Sequence, residues 1–345
     1  MDKQYVVEYY HKDNFFLIES EWKYLEKGPD MTPYQSYAWY KMLNDCYVPE
    51  DTSYYTSVYA SIKKNNKTIL IAPLWIVKHT FKFVNKKGVY FLGREGWSDY
   101  LNFIYFEFDN YALLHLLHNV SLTFHVNKFF FSELKCRGNT YTYLTNAMTL
   151  IEKKEEICVA LSLPKTEEEY RKKLSKNTRQ NIRTAYNRLK KDGLQLRIEF
   201  DDLNINRDKC YELREQRFLD RFHKISKLRR YKQKIIYRLK YHFKPFIPIY
   251  SFNDGHFLSV YDGDELCSFF YYIYDCMHRQ IFVLAAGLNT KYSKYSPGII
   301  SLIEFINYHI IEGDIDMIDF TRGDEAYKYA LGGEDHYIGG ITFKI

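Results

Sequence analysis

From Phe257 to Ala286 the chain reads as three successive strands, Phe257–Tyr261, Glu265–Tyr274 and Gln280–Ala286, with Asp262-Gly263 between the first two. An Asp-Gly link between apolar runs is a hairpin signal, because the favoured two-residue turn needs positive φ at its centre. Such a meander must bury at least one face, and the next segment offers the cover. Ser296 reads as an N-cap, Pro297 takes the first helical position, and an apolar pattern runs on to about Ile311. Ile315, Met317 and Phe320 then predict a short, partly buried strand. The order strand, strand, strand, helix, strand constrains the fold to one in which helices cover a sheet.

Two places in this frame carry chemistry. At Ser296-Pro-Gly298 a helix begins with a residue that has no N–H and one that has no side chain. Its first backbone amides are open to an anion, although an ordinary capped helix has the same start. The second place is Asp319-Phe-Thr-Arg-Gly-Asp-Glu-Ala-Tyr-Lys328, where the strand gives way to a loop. Rigid strands that end in Gly-containing loops hold polar groups still while a ligand approaches. The plainer reading is a solvated turn in which Arg322 pairs with Asp319 or Asp324.

The rest of the chain is read by the same rules. Tyr5–Tyr9 alternates weakly, Asp13–Lys27 reads as a helix stopped by Gly28-Pro29, and Pro33–Cys46 as a helix with Thr32 as N-cap. Strands are expected at Ser57–Ile62 and Thr68–Lys78, around a turn at 63–66, and at Val89–Leu92, which runs into the loop Gly93–Tyr100. A helix over Asn110–Leu122 and a strand over Lys128–Leu134 follow. Thr166-Glu-Glu-Glu169 is a capping box opening a long helix or helix pair that Gly193 stops; Leu194–Phe200 is a strand, and Arg207–His242 reads as basic helices. A length of 345 residues suits two domains, divided near residue 150 into 1–150 and 151–345.

Within a net charge of +6, basic residues crowd 165–191 and 207–244, which suits an anionic ligand. Arg179 and Arg183, four apart, share one helical face. The start of the chain lacks a signal-peptide pattern, and the longest apolar run, Ile69–Val77, holds Pro73 and falls far short of the roughly 20 residues a membrane span needs. The expectation is a soluble, cytoplasmic protein without a membrane span. Six cysteines without CxxC and eleven histidines without HxxxH or HxH predict reduced thiols and no metal. The absence of GxGxxG, GxxxxGK[ST] and GxSxG argues against the common dinucleotide enzymes, NTPases and serine hydrolases.

Five segments, in this order, carry a resemblance. They are Thr32-Pro-Tyr-Gln-Ser-Tyr-Ala-Trp39, Phe91-Leu-Gly93 with Ser98-Asp-Tyr100, Leu174-Ser-Lys-Asn-Thr-Arg-Gln-Asn-Ile-Arg183, Ser296-Pro-Gly298, and Asp319 to Lys328. The chain resembles the GNAT-related acyltransferases of the CelD/BcsL type, relatives of the Fem peptidyl transferases. The resemblance implies an α+β (mixed α/β) fold of two tandem GNAT-like domains, with mixed, mainly antiparallel sheets flanked by helices. The first domain would be structural or face the acceptor, and the second would hold the cofactor groove. It implies acetyl-CoA or another acyl-CoA as co-substrate, no metal, and a small-molecule amine acceptor, possibly a nucleotide sugar for bacterial surface polysaccharide. Ser296, Pro297, Gly298 and Lys294 would hold the cofactor; Arg322, Lys328, Arg179, Arg183 and Trp97 would hold the acceptor.

Direct attack of an amine on a thioester needs a base and a proton for the leaving thiolate. Asp324 is the first candidate base, Asp99 from the other half the second, and Tyr327 the candidate acid. Two other readings stay open. A Fem-like enzyme would take aminoacyl-tRNA as donor, with the basic helices facing nucleic acid; a non-catalytic module would hold a polyanion through the same surface. Nothing in the sequence indicates an oligomeric state.

Overall fold

In a computed structural model the chain is described over residues 5–48, 50–79, 86–94, 98–220 and 249–345, with 218–220 described by backbone alone. Trp97 and the basic stretch 221–248 lie outside the described residues. The chain divides into two units, Met1–Ile157 with Tyr337–Ile345, and Cys158–His336.

In unit 1, β1 (Tyr5–Tyr10), β2 (Tyr55–Lys64), β3 (Lys67–Val77) and β4 (Gly88–Phe91) form an antiparallel ladder, with the short β5 (Ile104–Tyr105) beside β3. Asn65 and Asn66, at φ +51° and +64°, make the β2–β3 turn, a geometry that Asn tolerates better than most residues. Helices α1 (Glu19–Leu25), α2 (Tyr37–Cys46) and α3 (Asn110–Phe124) accompany the sheet. Strand β6 (Lys128–Lys135) joins β4 in parallel, and α4 (Asn139–Ala147) follows it.

The single helix expected over Pro33–Cys46 is instead a 3-10 turn, Pro33–Gln35, followed by α2. The side chain of Gln35 explains the break. Its Oε1 accepts from the Thr32 amide and its Nε2 donates to the Tyr100 carbonyl. Ser36 is left extended and becomes the N-cap of α2, accepting from the Trp39 amide. Trp39 is fully buried and donates to Ser98 Oγ at 2.8 Å, so the start of α2 holds the Ser98–Tyr100 loop.

Unit 2 repeats the strand order. Strands β8 (Arg197–Glu199), β9 (Gly255–Asp262), β10 (Glu265–Asp275) and β11 (Gln280–Leu288) form an antiparallel ladder, and β12 (Met317–Arg322) runs parallel to β11. Apart from the short β5, each unit thus has, among the described residues, four antiparallel strands, a fifth parallel to the fourth, and a sixth antiparallel to the fifth. The sixth strand is exchanged in sequence. Unit 1 takes it from β13 (Glu334–Lys344), which follows the last helix of unit 2. Unit 2 takes it from the Cys158–Ser162 end of β7 (Leu150–Ser162), which follows α4 of unit 1.

The helices of unit 2 are α5 (Glu167–Lys173), α6 (Lys176–Lys191), α7 (Arg207–Asp220), α8 (Pro297–Glu312) and α9 (Ala326–Ala330). Thr166 and Ser175 cap α5 and α6 by accepting from Glu169 and Thr178 amides, which makes the segment a helix pair. Among the described residues, no helix is long and apolar enough to cross a membrane. None of the six cysteines is in a disulfide.

Candidate functional site

The parallel ladder between β11 and β12 is short. Its register runs Gln280↔Met317, Ile281↔Ile318 and Phe282↔Asp319, and there it ends. The cause lies in β12. Thr321 adopts φ +56°, its amide donates to Asp319 Oδ1 at 2.7 Å, and its hydroxyl donates to the Val283 carbonyl at 3.0 Å. Asp319, 3% exposed, therefore serves as the anchor of this bend, with His336 Nε2 3.3 Å from its other oxygen. Released from β12, the Ala286–Leu288 end of β11 lines a pocket of about 220 Å³.

The start of α8 forms the opposite wall with Ser293, Ser296, Pro297, Gly298 and Ile299, and Tyr327 from α9 completes it with Arg217, Ser268 and Phe270. Ser296 stands at the N-cap position in a left-handed conformation, φ +52°, and its hydroxyl caps no amide. The preceding segment is fixed from outside the pocket. Tyr292 donates to Asp262 and Glu265, Tyr295 and Lys294 both reach Asp192, and the Asn289 amide donates to the Cys267 carbonyl. Lys294, hydrogen-bonded to Asp192, is held above the ordinary lysine range, and Asp192 below the ordinary carboxylate range. Of the four residues expected to hold the cofactor, Ser296, Pro297 and Gly298 thus line the pocket, and Lys294 is tied to the end of α6.

Asp324 is exposed in the loop between β12 and α9, beside Gly323 at φ +104°. A side chain at 323 would meet the end of the Glu325 side chain, which can move aside, so it is the φ that favours glycine there. Lys328 turns away from solvent. It is 2% exposed, and its Nζ donates to the carbonyls of Thr321, Arg322 and Gly323 at 3.1, 2.8 and 2.9 Å, with Glu325 Oε2 at 3.0 Å. Its ammonium is engaged by the loop it supports. Arg322 is half-buried at the end of β12. Arg179 Nη1 donates to the Arg171 and Leu174 carbonyls at 3.1 and 2.6 Å, closing the end of α5, while Arg183 on the same helix is exposed. Asp99 is half-buried in unit 1, and Trp97 lies outside the described residues.

Like Ser268, Arg217 is one of the pocket residues that the sequence reading missed. Gly287 explains its position. A side chain at 287 would lie 2.3 Å from the Phe269 ring and 2.9 Å from Leu213 Cβ, so glycine lets α7 approach β11 closely. One turn beyond Leu213, Arg217 donates to the Ala286 carbonyl at 3.4 Å and its guanidinium stands 5.8 Å from the centre of the Tyr327 ring. Gly287→Ala is expected to cost about 1–3 kcal/mol by overpacking. Calorimetry should show a melting temperature lowered by several degrees; an unchanged value would mean that α7 does not need this approach.

A family model for the acetyltransferase (GNAT) domain matches residues 176–329. The matched stretch resembles a GNAT acetyltransferase domain. The GNAT segment covers α6 to α9 and includes every residue of the pocket. Over the whole chain the fold is similar to that of FemX, with a TM-score of 0.60 at 10% identity over 96% of both chains. It is also similar to a conserved protein of unknown function from Bacteroides thetaiotaomicron, with a TM-score of 0.57 at 11% identity over 99% of this chain and 100% of that one. A tandem GNAT protein from the clavulanic acid biosynthesis pathway gives 0.51 at 8% identity over 99% and 98%. No curated protein matches the sequence. The chain thus has a fold similar to those of FemX and of a tandem GNAT protein, and within its second unit residues 176–329 match the GNAT domain model.

Proposed function

We propose that the protein is an acyl-CoA-dependent N-acyltransferase, with acetyl-CoA as first candidate donor, acting on an amino group of a sugar or sugar nucleotide used for bacterial surface polysaccharide. The pocket uniting the start of α8, the released end of β11 and Tyr327 carries this reading. Its residues fit a long donor bearing phosphates and amides. Pro297 has no N–H, the Ser296 hydroxyl caps no amide, the Ile299 and Ile300 amides donate to the Ser296 carbonyl, Gly298 adds no side chain, and the end of β11 offers backbone groups along one wall.

An acyl-CoA supplies an acyl group activated as a thioester, so no serine or cysteine nucleophile is needed. Cys267, beside Ser268, is consistent with this: burial pushes its thiol up to about 12, and it stays protonated. In this reading Asp324, exposed on the loop, takes the proton that the acceptor amine gives up. Tyr327 gives its phenolic proton at the pocket wall. Arg217 steadies Tyr327 and adds positive charge, while Lys328 and Asp319 keep the loop in shape. Arg322, Arg183, Trp97 and the second candidate base, Asp99, are proposed to serve the acceptor, with unit 1 on the acceptor side.

Titration of the purified protein with acetyl-CoA and longer acyl-CoAs tests the donor: saturable binding is expected. Asp324→Asn is expected to bind the donor as the parent does and to lose about 10²–10⁴ in turnover. Full turnover with intact binding would remove Asp324 as base. A second reading, with aminoacyl-tRNA as donor, draws support from α6, which carries six Lys and Arg and no acidic residue over Lys176–Lys191. Co-purifying RNA with salt-sensitive binding, and no saturable acyl-CoA binding, would select it.

A further inference from the structure

Ser268 is 1% exposed, and its hydroxyl has no hydrogen-bond partner. Among the described residues lining the pocket, it is the one whose buried polar atom is left so. Its position is built by two features of the fold. The β9–β10 ladder shifts register between Leu266 and Ser268, and a bulge of this kind re-aims the side chains beside it. The carbonyl of the intervening Cys267 is tied to the Asn289 amide at 2.8 Å, which joins the bulge to the segment leading into α8. Above Ser268 lies Gly298. A side chain there would stand 4.0 Å from Ser268 Oγ and 3.4 Å from the Phe270 ring, so the glycine leaves the hydroxyl facing the pocket beneath the first turn of α8.

Burying a hydroxyl without a partner costs free energy that a methyl would not, and native folds rarely retain one without cause. We infer that Ser268 is a ligand-recognition residue whose hydroxyl donates to a phosphoryl oxygen of the donor at the start of α8. This rests on the acyl-CoA reading of the pocket. A phosphoryl group is the fitting partner. Ser268 pairs with Leu288 at the last position of the β10–β11 ladder, on the α8 side, where the helix dipole favours negative charge. The ligand then supplies the hydrogen bond that the fold withholds.

Ser268→Ala tests the inference with two probes, acetyl-CoA and S-acetylpantetheine, which carries the same thioester arm without phosphates. Calorimetric titration is expected to show about tenfold weaker acetyl-CoA binding and unchanged S-acetylpantetheine binding. The unliganded variant is expected to melt at the same temperature as the parent or higher, because an unpartnered hydroxyl has been removed, and Ser268→Thr should recover part of the lost affinity. Equal acetyl-CoA affinity in parent and Ser268→Ala would overturn the role, as would an equal loss for both probes. If the parent itself binds no acetyl-CoA, the donor reading falls and this role with it, an outcome distinct from both.

Discussion

Lys328→Met is expected to lower the melting temperature by roughly 5–15 °C and to remove acyltransferase activity. The apolar stem stays and only the ammonium goes. Three carbonyls in succession, those of Thr321, Arg322 and Gly323, converge on that ammonium. They can do so because Thr321 and Gly323 both have positive φ, +56° and +104°. An ammonium has three donors on a compact head and matches the three acceptors. Without it the carbonyls lose their partners, at a cost of about 2–4 kcal/mol, and the backbone has no reason to keep the bend. Asp324 and Tyr327 stand on either side of the loop's turn into α9, so turnover should fail along with stability. Lys328→Arg is expected to restore little, since a planar fork cannot bring its donors to one point. Hydrogen exchange at residues 321–331 would separate local opening from global destabilisation. Unchanged melting and activity in the Met variant would show that the loop holds itself.

Gly298→Glu is expected to weaken acetyl-CoA binding at least about a hundredfold, or roughly 3 kcal/mol. A side chain at 298 enters the pocket between Phe270 and Ser268, and a carboxylate there meets the donor's phosphates with like charge at short range. Two controls make the result readable. Gly298→Ala places its methyl at ordinary contact distance, 3.4 Å from the Phe270 ring, and should bind within a few-fold of the parent. An acidic residue in the first turn favours the helix, so Gly298→Glu should melt no lower than the parent. Parental affinity in the Glu variant would place the donor away from α8.

How much of this is legible in the sequence depends on the range of the forces that decide it. The β9–β11 meander and α8 are legible because neighbouring residues settle them. Asp262-Gly263 carries its own turn, with Gly263 at φ +59°, and Pro297 and Gly313 bracket the helix, the latter at φ +61°. The bend at Ser36 is less so, because Gln35 is drawn off by Tyr100, sixty-five positions away. The direction of Lys328 is not legible at all. A lysine beside a charged loop normally faces water, and here three converging carbonyls together with Glu325 turn it inward. Arg217 was hidden for a similar reason: its place depends on what Gly287 permits across the sheet. A glycine in a strand is usually a weak point, yet β13 runs through Gly339. A side chain there would meet the Tyr141 ring at 2.1 Å, so this glycine makes room inside a strand.

The exchange of the sixth strands bears on how the protein is made. During synthesis Ile338–Lys344 leaves the ribosome only after all of Cys158–His336, yet it is the strand that completes the sheet of unit 1 beside β6. Until then the edge of β6 is unpaired, the condition in which nascent sheets are most prone to wrong partners. Unit 2 has the opposite schedule, since Cys158–Ser162 is already outside when β12 emerges to pair with it. The half of the molecule translated first is therefore the last to be finished. A nonsense codon shortly before Tyr337 would injure the amino-terminal unit more than the carboxy-terminal one.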